Sequence, residues 1–152
     1  TKKLWYKINS KPDVIILEGW CVGATPQNDN ELKKPINSLE KVKDQNLIWR
    51  KYVNSQLNTN YKKLFNHLNC IIYLKAQNFK LLQSWREKQE KKLWLKNKNK
   101  RNSKIMSKGD VINFMQTYQR ITQNMFKEAP KYASIILNLN SNHQIRSITF
   151  KK

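Results

Sequence analysis

Three short runs of branched apolar residues, set between long stretches of helical periodicity, constrain this chain more than anything else in it. They are residues 13–17 (DVIIL), 70–74 (CIIYL) and 133–139 (ASIILNL). A continuous apolar run is buried on both faces, which is the pattern of a parallel sheet covered by helices. The last stretch, 144–150 (QIRSITF), alternates instead and predicts an edge strand. Between the runs, Asp44 predicts the N-cap of a helix of about 20 residues, with Leu47, Ile48, Tyr52, Val53, Leu57, Tyr61, Leu64, Phe65 and Leu68 at helical spacing. Phe79, Leu82, Trp85 and Leu93 predict a second helix that runs into the basic, low-complexity KNKNKRNSK. Ser107 predicts the cap of a third, over 108–128, which stops ahead of Pro130. Residues 19–38, dense in Gly, Pro and Asn, read as one long loop, and loops of that length in compact domains carry function. This order predicts an α/β fold with a parallel sheet and helices on its faces.

With 152 residues the chain fits one domain. It has no apolar run of about 18 residues, so no membrane partner is expected, and its start, TKKLWYKINSK, has no secretory leader pattern. Cys21 and Cys70 match no paired-ligand spacing, which points to reduced thiols and a cytoplasmic setting. His67 and His143 are equally isolated, which speaks against a metal site built from His and Cys. The net charge of +20 invites a nucleic-acid reading. It is nearly all lysine, however, in a chain rich in Lys, Asn and Ile, residues with A/T-rich codons. No RNA-binding aromatic pattern, helix-turn-helix signature or zinc-finger spacing accompanies it, so nucleic acid is not the expected partner.

In open α/β sheets, ligands bind beyond the carboxyl ends of the strands, and Glu18 is placed there. Asp13 lies about 16 Å away along an extended strand, too far to share a site with it. Four apolar residues followed by an acid form a Walker B pattern, whose carboxylate supports nucleotide-bound Mg²⁺. Many buried strands end in an acid, so a capped or solvated Glu18 is the alternative.

Taken in order, DVIILEGWCVGATPQ, PINSLE, WRKYVNSQL, YKKLFNHLNCIIYLKAQNF, SWREKQEKKL, VINFMQTYQRITQNM and IILNLNSNHQI resemble the bacterial branch of the glycerate kinase family. These are P-loop kinases related to uridine kinase and pantothenate kinase. The resemblance runs from Lys11 to Ile145 and is most specific at Glu-Gly-Trp (18–20) and Tyr-Gln-Arg-Ile-Thr (118–122). It implies an ATP- and Mg²⁺-dependent kinase that phosphorylates a hydroxyl of D-glycerate or a related hydroxy acid. The Walker A loop and the Asp-Asp-Phe-Tyr segment of that family are absent from the sequence, and Gly19, Gly23 and Gly109 cannot supply the former. The chain is therefore expected to be the C-terminal part of one kinase domain, spanning 1–152, inactive and poorly folded by itself. The family's strand order, 2-3-1-4-5, implies that 70–74 and 133–139 pair directly. Residues 13–18 would lie one empty lane from 70–74, about 9–10 Å.

The resemblance also assigns roles. Glu18 would lie beside the Mg²⁺–phosphate site, directly or through water, and Trp20 would wall the acceptor pocket or simply pack in the core. Arg86, on a lid-like helix, would clamp the transferring phosphate, with Lys92 a second candidate; a solvated charged helix is the alternative for both. Arg120 would bind acceptor or phosphate, or form a surface ion pair; Tyr118 would border the same pocket, with core packing the safer reading for it. Asn142 and His143 would edge the adenine base, an ordinary loop residue being the alternative for His143. The rival from another class is a lysine-rich, non-enzymatic module that holds RNA or an acidic partner. The acceptor and the oligomeric state are left open.

Overall fold

Helix begins earlier than the loop-like composition of 19–38 predicts. In the computed structural model, which describes residues 6–96 and 105–151, two short helices, α1 (Asp29–Lys33) and α2 (Ser38–Lys43), lie in that stretch. Each starts at an asparagine with a glutamate three residues on. Glu31 Oε2 accepts the Asn28 N–H at 3.2 Å, and Asn37 Oδ1 accepts the Glu40 N–H at 2.9 Å. These contacts satisfy amides that a helix start leaves open.

The single long helix expected from Asp44 is two, α3 (Ile48–Asn58) and α4 (Asn60–Phe65). The N-cap of the first is Leu47, at φ 60°, rather than Asp44, which instead caps from three residues upstream: its carboxylate accepts the N–H groups of Trp49 at 2.9 Å and Arg50 at 3.2 Å. The break falls at Thr59, whose hydroxyl donates back to the Ser55 carbonyl at 2.8 Å, in an Asn-Thr-Asn run whose side chains compete with the helical ladder. Helix α5 (Phe79–Lys96) forms as predicted, and α6 (Lys108–Tyr132) starts at the Ser107 cap, where Ser107 and Asp110 exchange hydrogen bonds. Pro130 does not stop α6. It sits in the last turn, and Ala133 still donates to Ala129 at 2.9 Å while Met125 and Ala129 remain buried. Most of the basic stretch expected after α5, residues 97–104, lies outside the described residues.

Three strands, β1 (Ile72–Lys75), β2 (Ile135–Leu139) and β3 (Ile145–Phe150), form one sheet in the order β1-β2-β3. β1 and β2 are parallel, with Ile72 opposite Ile135 and Leu74 opposite Leu137, so the two expected strands do pair directly. β3 is the predicted edge strand but runs antiparallel to β2, so the sheet is mixed rather than parallel. Helix α6 packs against β1, α2 and α5. The core gathers Ala24, Leu57, Met125 and Ala129, with Tyr73, Ile121 and Tyr132 packed against them. Tyr132 donates its hydroxyl hydrogen to the Gly23 carbonyl at 2.6 Å, and Gly23 has φ +80°, a conformation that costs glycine least.

The opposite face of the sheet is open. Ile72, Leu74, Ile148 and Phe150 share it by register and are 53%, 60%, 50% and 73% exposed. The expected buried strand at 13–17 is likewise absent. Those residues are extended but belong to no strand, and Val14, Ile15 and Ile16 are 75–85% exposed. A strand exists only through its neighbours' hydrogen bonds, and among the described residues 13–17 have none. Instead, a cavity of about 290 Å³ is lined on one side by Leu17, Glu18 and Trp20, on the other by Ile71–Leu74 of β1 and its lead-in, and by Met125 and Ala129 of α6.

Both cysteines are free. Cys21 packs against the core, and burial pushes its thiol up to about 11, whereas Cys70 is exposed. Since the thiolate is the reactive form, iodoacetamide at pH 8 should modify Cys70 first and Cys21 at least ~50-fold more slowly. Equal rates by mass spectrometry would contradict the packing of Cys21.

Candidate functional site

Helix α5 builds one wall of a cleft of about 460 Å³. Leu82, Trp85, Gln89 and Lys92 recur at i, i+3, i+7 and i+10, so one helix face lines it, with Arg86 and Lys88 beside that face. His143 comes from the β2–β3 hairpin loop. Asn140 Oδ1 accepts the N–H groups of Asn142 at 2.9 Å and Gln144 at 3.0 Å, and His143 takes a left-handed conformation, φ 63°. The Trp85 indole donates to the Ser141 carbonyl at 3.0 Å, and its ring lies 4.1 Å from the His143 ring. This pins the loop to α5. Trp20 closes the far side: it stacks on Tyr118 of α6 with ring centres 4.8 Å apart and planes 9° from parallel, and its indole donates to the Thr122 hydroxyl at 3.2 Å.

Four of the residues singled out in the sequence, Trp20, Arg86, Lys92 and His143, thus line one cleft, and Tyr118 holds Trp20 in place. Trp20 is half-exposed at 40%, so it is a wall with a free edge rather than a core residue. Among the described residues no carboxylate lines the cleft, while Arg86, Lys88 and Lys92 do. Cations between aromatic faces suit a planar ligand that carries phosphates. Trp85, Lys88 and Gln89 were not foreseen as site residues. Their spacing along α5 was visible, but Trp85 reads equally well as core.

Glu18 borders the neighbouring cavity beside β1, which shares Trp20 with the cleft. It is exposed, and among the described residues it has no hydrogen-bond or ion-pair partner. No group of three or more potential metal-ligating side chains occurs among the described residues. A lone carboxylate still fits Mg²⁺, which is held by one or two carboxylates, phosphate oxygens and waters. Asn142 has its backbone N–H engaged in the hairpin turn and does not line the cleft.

Arg120 lies elsewhere, in a buried network rather than a surface ion pair. Its Nε donates to Glu40 Oε1 at 2.7 Å. One terminal nitrogen serves Gln27 Oε1 and the Glu31 carbonyl; the other serves Glu40 Oε2 at 2.6 Å and the Lys34 carbonyl. All five guanidinium hydrogens are thereby spent, and none is left for an incoming anion. Arg50 joins the cluster, donating to Asp44 Oδ2 at 2.8 Å and the Leu32 carbonyl at 2.8 Å, with Glu40 at 3.7 Å. Burial pushes the Asp44 carboxyl up, but hydrogen bonds from Trp49 and Arg50 and the Arg50 charge outweigh it, so its pKa ends below the usual carboxylate value. A depressed folded-state value means that Asp44 stabilises the fold above its unfolded pKa, and that this contribution is lost as pH falls through the folded one.

No protein-family model matches the chain. It is 31% identical over 116 residues to the uncharacterized kinase mug58 of Schizosaccharomyces pombe, a match that covers 75% of this chain and 39% of that protein. Its fold superposes on D-glycerate 3-kinase from Cryptococcus neoformans var. grubii with a TM-score of 0.73 and 16% identity, covering 95% of this chain and 52% of that one. The chain therefore spans about two-fifths of the relative and about half of the structural neighbour.

Proposed function

We propose, from this kinship with the glycerate kinase group of P-loop kinases, that the chain is the nucleotide-and-lid part of an ATP-dependent small-molecule kinase. The observation that carries the reading is the acid-free cleft in which Arg86, Lys88 and Lys92 stand among Trp20, Trp85 and His143. The phosphates of ATP would meet the three cations, and the base would lie against the aromatic rings near the β2–β3 loop. The acceptor is a hydroxyl of D-glycerate or a related hydroxy acid. Its oxygen forms the new bond to the γ-phosphorus, the bond to the bridging oxygen breaks, and ADP leaves. Bound Mg²⁺ would draw charge from the phosphates, with Glu18 facing it directly or through water. Arg86 would supply positive charge where it accumulates on the transferring group, and Trp20 would exclude water. Such catalysis is positioning and charge stabilisation. The base that takes the hydroxyl proton, and the loop that cradles the phosphates, would belong to the part of the domain this chain does not span.

The open lane beside β1 supports that last point. Leu17 faces 72–74 across the cavity there, residues 14–17 belong to no strand, and β1 has no partner on that side among the described residues, as expected where a shared neighbour is missing. Amides 14–17 should exchange with deuterium as fast as in an unfolded peptide in this chain alone, and become protected in the complete protein. Protection in the isolated chain would overturn the incomplete-sheet reading. The activity itself is tested by ATP consumption of the complete protein across small hydroxy acids. Turnover with one of them is expected. No consumption with any, together with tight RNA binding at physiological salt, would favour the lysine-rich binding module instead.

A further inference from the structure

Arg86 and Arg120 are the same residue type with opposite hydrogen-bond accounts. Arg120 has no donor to spare. Arg86 gives one terminal N–H to Gln89 Oε1 at 2.6 Å and one to Glu90 Oε1 at 2.5 Å, and its Nε is buried without an acceptor. With the Nε–H enclosed, two terminal N–H groups are therefore uncommitted at the edge of a cleft that no described carboxylate lines. Its guanidinium carbon also lies 5.3 Å from the centre of the Phe114 ring, which supports the planar fork from α6.

Glu90 is the unusual partner in this arrangement. It is a carboxylate only 5% exposed on a helix that is otherwise mostly solvated. A buried charge is kept only where it is paired and hydrogen-bonded. Glu90 divides its oxygens between two tasks, Oε1 to Arg86 and Oε2 to the Met106 N–H at 3.1 Å, on the segment leading into α6. The carboxylate is thus fixed from outside its own helix. An exposed i,i+4 pair would hold Arg86 loosely. This one fixes which edge of the fork is used up and which is left open.

We infer that Glu90 is a positioning residue, which holds Arg86 with its free N–H edge ready for a phosphate group in the cleft. Glu90 need not touch the ligand; it acts through Arg86, as outer partners orient the groups that bind. The inference rests on the phosphate-binding reading of the cleft.

The test measures ATP and adenosine binding by calorimetry or NMR titration on the complete protein and its variants. Glu90→Ala should weaken ATP at least tenfold while leaving adenosine, which has no phosphate, unchanged. Glu90→Gln keeps an acceptor in the same place and should restore ATP affinity to within about threefold of the parent. It also answers for any loss of fold in the alanine variant. Arg86→Gln should match Glu90→Ala. If Arg86→Gln weakens ATP but both Glu90 variants bind like the parent, Glu90 is no positioner and the inference is overturned. If ATP and adenosine weaken together in Glu90→Ala, the residue is merely structural, and the inference falls as well. If the parent does not bind ATP, or Arg86→Gln binds it as well as the parent does, the reading of the cleft itself fails and takes the inference with it.

Discussion

Replacing Arg120 with alanine is expected to cost about 3–5 kcal/mol of stability, the largest loss for any single charged side chain described. The change strips Glu40 of two short hydrogen bonds and leaves a carboxylate that is 7% exposed facing Arg50 at 3.7 Å, too far to replace them. It also orphans the Lys34 and Glu31 carbonyls, which close the ends of α1. Arg120→Lys should recover only part of the loss, because an ammonium cannot serve both Glu40 oxygens and two carbonyls in one plane. Urea unfolding followed by circular dichroism measures both. A loss below about 1 kcal/mol for the alanine variant would place the cluster among ordinary surface pairs. Because the network joins α1, α2 and α3 to α6, the damage should reach the whole helical side of the molecule and not one loop.

For Glu18 the expectation has the opposite form, a large effect on chemistry and almost none on the fold. In the complete enzyme, Glu18→Gln should lower kcat by two or more orders of magnitude with the melting temperature within a degree or two of the parent. The side chain is exposed and no described residue depends on it, so stability has nothing to lose. Its place at the mouth of the cavity beside β1, next to Trp20, is where a metal-directed charge would act on the transition state. Turnover close to that of the parent would remove Glu18 from the site, and a large fall in melting temperature would show that it serves the fold instead.

The parts of this molecule that could be read from sequence are those set by local pattern. β1 and β2 were visible as unbroken apolar runs, and α5 and α6 as helical periods with a cap at Ser107. The short helices α1 and α2 were equally local, written as Asn-x-x-Glu at 28–31 and 37–40, but the Gly, Pro and Asn content around them masks the signal. Residues 13–17 have strand composition without a strand, because pairing is a property of the neighbours and not of the segment. The cleft residues came from the resemblance, not from spacing. The ion network could come from neither, since Glu40 and Arg120 are 80 positions apart and nothing local marks a charge for burial. One compositional hint was there: in a chain that uses lysine almost everywhere, Arg50, Arg86 and Arg120 each grip a carboxylate that is at least nine-tenths buried. Only a guanidinium has the fork for that task.

Trp20 and Trp85 line the same cleft, one stacked on a tyrosine and the other tilted 35° against a histidine. Both are therefore held beside rings that alter their ultraviolet emission, and anything that slides between them must disturb one pairing or the other. The molecule carries its own optical gauge of occupancy. An adenine base would dim it by stacking, and a bare phosphate, drawn to Arg86 and the lysines, would leave it almost untouched.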